Sequence, residues 1–94
     1  MRTEEIEIYS DASNSAIMRH PGRTFPGVLI QGGSLSSYVS LLNSALNELE
    51  SGDSEEGLEL VREVQEILEE HLTNYAETLK SQDVELPFRW PRQT

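Results

Sequence analysis

Ninety-four residues without a cysteine, carrying 17 acidic and 7 basic side chains for a net charge of −10, describe one domain able to bury only about 60–70% of its unfolded surface. That size excludes a deep enclosed active site in a lone chain, and the missing cysteines exclude a disulfide framework or a thiolate metal site. The acidic balance excludes the basic footprint that direct binding to a nucleic-acid backbone needs, and no stretch approaches the roughly 20 apolar residues of a membrane span.

The opening "MRTEEIEIYS" is acidic, not a basic region leading into an apolar one, so the expected location is the cytoplasm, with no membrane partner. Within it Ile6 and Ile8 alternate with Glu5, Glu7 and Tyr9, the period-two pattern of a half-buried strand with both isoleucines inward. "DASNS" supplies turn residues, and the pattern predicts a hairpin with strands near 4–10 and 15–20. "HPGR" is a Pro-Gly turn, and Pro26 holds Phe25 extended. "GVLIQ", residues 27–31, reads as a third, buried strand, ended by "GGS".

The period then changes. From Ser34, the expected N-cap, Leu35, Tyr38, Val39, Leu42, Ala45, Leu46 and Leu49 recur at steps of three and four and read as one apolar stripe of a helix to about Glu50. Gly52 suits a left-handed helix end, and Asp53 suits an N-cap paired with Glu56 three positions on. A second helix follows from Ser54 to about Ser81, near 40 Å long at about 1.5 Å per residue. Its expected seam is Val61, Val64, Leu68, His71, Tyr75 and Leu79, widened by Leu58, Leu60, Ile67 and Leu72. The short connection makes the helices antiparallel neighbours. In "VELPFRWPRQT", Pro87 and Pro91 forbid a helix; Leu86 and Phe88 are expected to pack back, with Trp90 as a free anchor.

Charge is unevenly spread: residues 12–47 contain no Asp or Glu, whereas residues 48–70 contain ten acids against the single Arg62. Pairs four apart, such as Glu55 with Glu59 and Glu66 with Glu70, each cost a few tenths of a kcal/mol. Packing, or a basic partner, must offset that.

Tests for chemistry are mostly negative. A carboxylate-bridged di-iron bundle wants Glu three residues before a histidine, and Leu68 stands there before His71. The "GGS" at 32–34 opens a helix whose free N–H groups attract anions, but no Lys follows and no G-x-G-x-x-G spacing is present. Only if Arg19, His20 and Arg23 converge on that helix start is a small-anion site formed. No serine sits in a G-x-S-x-G elbow, and the carboxylates stand on an exposed helix face rather than in a cleft. Neither catalysis nor a cofactor or metal is expected.

The stretch "SNSAIMRHPGRTFPGVLIQGGSLSSYVSLLNSAL", with the long acidic helix and "VELPFRW" after it, resembles a family of short bacterial proteins of unknown function. Those carry a strand ending "R.PGR.FPGV..QGDSL", two helices and a terminal "LPY" or "LPF". The resemblance covers nearly the whole chain, "PGRTFPGVLIQG" is its most specific part, and Gly33 stands where the family pattern has Asp. It implies a bacterial origin and brings no catalytic residues.

The expectation is an α+β domain: a small antiparallel three-stranded sheet (1–33) packed on a two-helix antiparallel hairpin (34–81), with an extended tail (82–94). The expected function is a non-enzymatic protein–protein interaction module, such as an immunity-type or other neutralising binder of a basic partner. It would bind through Glu55, Glu59, Glu63, Glu66 and Glu70, or through the edge around residues 19–31. Two alternatives stand open: a small-ligand or anion site at Arg19, Arg23, Gly32, Gly33 and Ser34, and a structural homodimer burying Tyr38, His71 or Trp90.

Overall fold

The computed structural model describes residues 1–11 and 15–91. Three strands, β1 (Glu7–Ser10), β2 (Ala16–Arg19) and β3 (Gly27–Leu29), precede two helices, α1 (Gly32–Glu50) and α2 (Ser54–Ser81). The sheet is antiparallel in the order β1-β2-β3, the α+β arrangement expected. Most of the turn anticipated at 11–15, and the last three residues of the tail, fall outside the described residues. The strands are shorter than the sequence pattern suggests, and α1 begins two residues before Ser34. Its N-cap is Gln31, in extended conformation and without a side-chain cap bond, so Ser34 lies inside the first turn.

The chain groups into two compact units, Met1–Leu29 with Thr73–Thr94, and Ile30–Leu72. In the first, Ile17, Tyr75 and Leu79 form a buried cluster, with Tyr9, Val28 and Val84 packed against it. Each large side chain fully buried here contributes about 1.5–3 kcal/mol. The sheet therefore packs on the last turns of α2. Tyr75 donates to the Pro26 carbonyl at 2.7 Å, and Asn74 donates to the Ser15 carbonyl at 3.1 Å. These two bonds tie the helix to the chain on either side of β2.

The register explains a departure from the expected alternation. Ile8 pairs with Met18 but Ser10 pairs with Ile17, leaving Tyr9 as the extra residue of a β-bulge. Ile8, opposite Met18 rather than the inward Ile17, sits on the outer face and is exposed, and Tyr9 beside it packs onto the core, the reverse of the expected phase. Val28 pairs with the buried Ile17 and points inward with it.

At the end of α2, Asp83 takes a left-handed conformation (φ 56°). The Val84 N–H bonds the Leu79 carbonyl at 2.9 Å, and the Asp83 N–H bonds that of Lys80 at 3.2 Å. This is a Schellman motif, and its customary apolar contact is Val84 against the core that contains Leu79. The tail then returns far enough for Phe88 to stack on Tyr75, centroids 6.1 Å apart, as expected of Phe88; Trp90 stays exposed.

In the second unit the inter-helix turn is a further Schellman motif. Asp53 N–H bonds the Glu48 carbonyl at 2.8 Å and Gly52 N–H that of Leu49 at 3.2 Å, with Gly52 at φ +93°, where a side chain would be strained. The Asp53 carboxylate accepts the Glu56 N–H at 3.0 Å, capping α2 as the sequence predicts.

Candidate functional site

The hairpin closes on residues at heptad spacing: Ser34, Tyr38, Leu41, Ala45 and Glu48 on α1, and Gly57, Leu60, Val64, Ile67 and His71 on α2. Together with the half-buried Ile30, Glu69 and Leu72, these make up the buried or half-buried positions of the unit. Gly57 sets the closeness of approach, since a Cβ there would meet Leu49 Cγ at 2.6 Å and the Ala45 carbonyl oxygen at 3.3 Å. Toward the other end the Tyr38 hydroxyl and His71 Nε2 share a hydrogen bond of 2.8 Å, with the rings edge to face.

Only part of the apolar stripe expected on α1 belongs to this seam. Leu35, Val39, Leu42, Leu46 and Leu49 are each one residue further along than an inner-seam position, and they remain 42–55% exposed. On α2, Leu58, Val61 and Leu68 hold the same relation to the inner seam and are 40–48% exposed. One residue is a rotation of about 100°. Because the helices run antiparallel, the same rotation on both turns these stripes to the same side of the pair. The result is an apolar face with Gln65 as its polar member, bordered by Glu50, Arg62 and the half-buried Glu69.

One residue back from the inner seam, α2 presents Glu56, Glu59, Glu63, Glu66 and Glu70, all exposed. The matching positions of α1 are Gly33, Ser37, Ser40, Ser44 and Asn47. The unit is thus two-faced, apolar on one side and polar to anionic on the other. Of the acids expected to bind a partner, Glu59, Glu63, Glu66 and Glu70 share that anionic face, and Glu55 lies further round on the outer side of α2.

Of the residues expected to form an anion site, Arg19 and Arg23 belong to the first unit and Gly32, Gly33 and Ser34 to the second. In the first unit Arg19 pairs with the Glu7 carboxylate opposite it across β1 and β2, and its Nη1 donates to the Arg23 carbonyl at 2.9 Å. His20 Nδ1 accepts the Gly22 N–H at 3.2 Å within the Pro-Gly turn. In the second unit Gly32 and Gly33 form the first turn of α1, and Ser34 turns toward α2. Two of the three residues expected to be buried in a homodimer, Tyr38 and His71, bond each other inside the hairpin. Among the described residues no three His, Cys, Asp or Glu stand close enough to hold a metal, and no helix is long and apolar enough to cross a membrane. Burial, and secondarily Tyr9, pushes the Tyr75 phenol above its usual value, a consequence of its place in the core.

The open face was legible in the sequence as a second heptad register. Positions 35, 39, 42, 46 and 49, and positions 58, 61, 65, 68 and 72, keep the same alternation of three and four as the inner seams. Reading both registers as one wide stripe hides it. Residues 1–88 match the model of a family of unknown function, DUF6959. No curated protein and no solved structure matches the chain.

Proposed function

We propose that this chain, which belongs to the DUF6959 family of unknown function, is a protein–protein interaction module that acts by docking through the open face of its helical hairpin. The observation that carries the reading is the exposure of eight large aliphatic side chains in one uncharged surface. Soluble domains rarely leave so large a contiguous apolar patch without a use for it. The heptad spacing on both helices suits a helical partner laid into the groove between them.

The anionic face supports a second reading, the electrostatic capture of a basic partner. Five glutamates stand in one row there, so attraction would speed encounter and weaken with salt. Site-specific photo-crosslinking in the native host separates the two. A photoreactive residue at Leu42 should give a discrete protein adduct, one at Ser40 on the opposite side should give none, and Leu46→Glu should abolish the first. Adducts from position 63 alone, lost in high salt, would move the binding surface to the acidic face. No adduct from position 42 would refute docking through the apolar one.

A further inference from the structure

We infer that the occupant of the open face is a second copy of this chain, two hairpins closing face to face into an antiparallel four-helix bundle; this rests on the docking reading above.

The first argument is stability. In the unit Ile30–Leu72 the buried apolar side chains are Ala45, 1% exposed, and Val64, 5% exposed, so most of the aliphatic surface of the hairpin is left for a partner to cover, and covering it adds stability. The partner present wherever the chain is made is the chain itself.

The second argument is area. About half the surface of eight large side chains is open, on the order of 700 Å² in all, against the ~800 Å² per partner of a standard specific interface. Two such faces together come to roughly 1,400 Å², within the range of specific interfaces.

The third argument is complementarity. A two-fold interface places the same patch on both partners. A groove flanked by two antiparallel heptad stripes is filled by another pair of antiparallel stripes, the geometry of four-helix bundles. Electrostatics permits it: the contact surface is uncharged, and the glutamate rows of both copies face outward on opposite sides of the bundle. Gln65 is the polar position within the seam, where one polar residue fixes the register of packed helices.

The test is sedimentation of the full chain across a range of concentrations. The expected species has twice the 10.6 kDa mass of one chain. Leu42→Glu with Leu46→Glu is expected to give monomers, and Ser40→Glu with Ser44→Glu, on the opposite side, to leave the dimer intact. If the first pair prevents folding, Leu42→Ala with Leu46→Ala keeps helix propensity and is expected to raise the dissociation constant at least about tenfold. Added salt should preserve or tighten the dimer by screening the repulsion of two chains of net charge −10. A monomer at every concentration, a dimer indifferent to the seam variants, or one that dissociates with salt overturns the inference. A monomer whose position 42 still cross-links a different protein overturns self-pairing while the docking reading stands; a monomer without that adduct removes both.

Discussion

Replacing Gly57 by alanine probes the contact that holds the hairpin closed. On an exposed helix the change would stabilise by about 0.8–1 kcal/mol through propensity alone. Here the new methyl would lie 2.6 Å from Leu49 Cγ, 2.8 Å from Leu49 Cδ2 and 3.3 Å from the Ala45 carbonyl oxygen, against about 3.5–4.0 Å for a comfortable carbon contact. Leu49 is half exposed and can swing outward, but the Ala45 carbonyl belongs to the α1 backbone and moves only with the helix. Overpacking of this kind costs about 1–3 kcal/mol, so the net expectation is a loss of about 1 kcal/mol. In a Leu49→Ala background the worst clash is gone, and the same substitution becomes neutral or stabilising, a coupling of about 1 kcal/mol between the two sites. Urea and thermal unfolding of the four proteins, at one fixed concentration because association shifts the midpoint, measure it. Gly57→Ala stabilising the parent by its full propensity gain, with no coupling to Leu49, would refute the close approach of the helices.

Four further substitutions test the packing. Tyr75→Phe removes the donor to the Pro26 carbonyl and should cost about 1–2 kcal/mol at neutral pH. Because the folded-state value of Tyr75 lies above the unfolded value of 10.0, its contribution is full below pH 10 and fades as pH rises through the folded value; that part of the alkaline decline should be absent from the Phe variant in pH-dependent unfolding. Asp83→Gly should raise the unfolding midpoint by the equivalent of about 0.5–1 kcal/mol, since φ 56° suits glycine better than a side chain; a loss would mean that the Asp83 side chain contributes more than its strain. Asp53→Ala should cost about 1 kcal/mol in denaturant unfolding by leaving the Glu56 N–H without its cap. Leu79→Ala, at a position with no exposed surface, should cost about 2–5 kcal/mol, and a smaller loss by calorimetry would place Leu79 outside the core.

By itself the sequence determined what neighbouring residues decide among themselves: the order of strands and helices, the Pro-Gly turn at 21–22, and the limits of α2. The start of α2 was readable because Gly52 and Asp53, in the turn before it, carry their end-forming chemistry in their own side chains or lack of one. The extra residue at Tyr9 was not readable, since a bulge is a property of the pairing between two strands and neither strand alone records it. The start of α1 was misplaced for a related reason: Ser34 is a good cap, but the helix is entered three residues sooner, with Gln31 as N-cap, and the preference of one side chain yields to the path of the backbone. The pairing of Arg19 with Glu7 across β1 and β2 was not readable for the same reason, since it depends on the strand register. Above all, α1 and the first part of α2 each carry two adjacent heptad stripes, and on α1 the one that closes on α2 (Ser34, Tyr38, Leu41, Ala45, Glu48) is the less apolar of the two. Either could face the partner helix, so periodicity cannot choose between them. Tertiary structure decides: the helices close on the stripe that holds Gly57, where a Cβ would meet the Ala45 carbonyl oxygen at 3.3 Å, and the other stripe is left open.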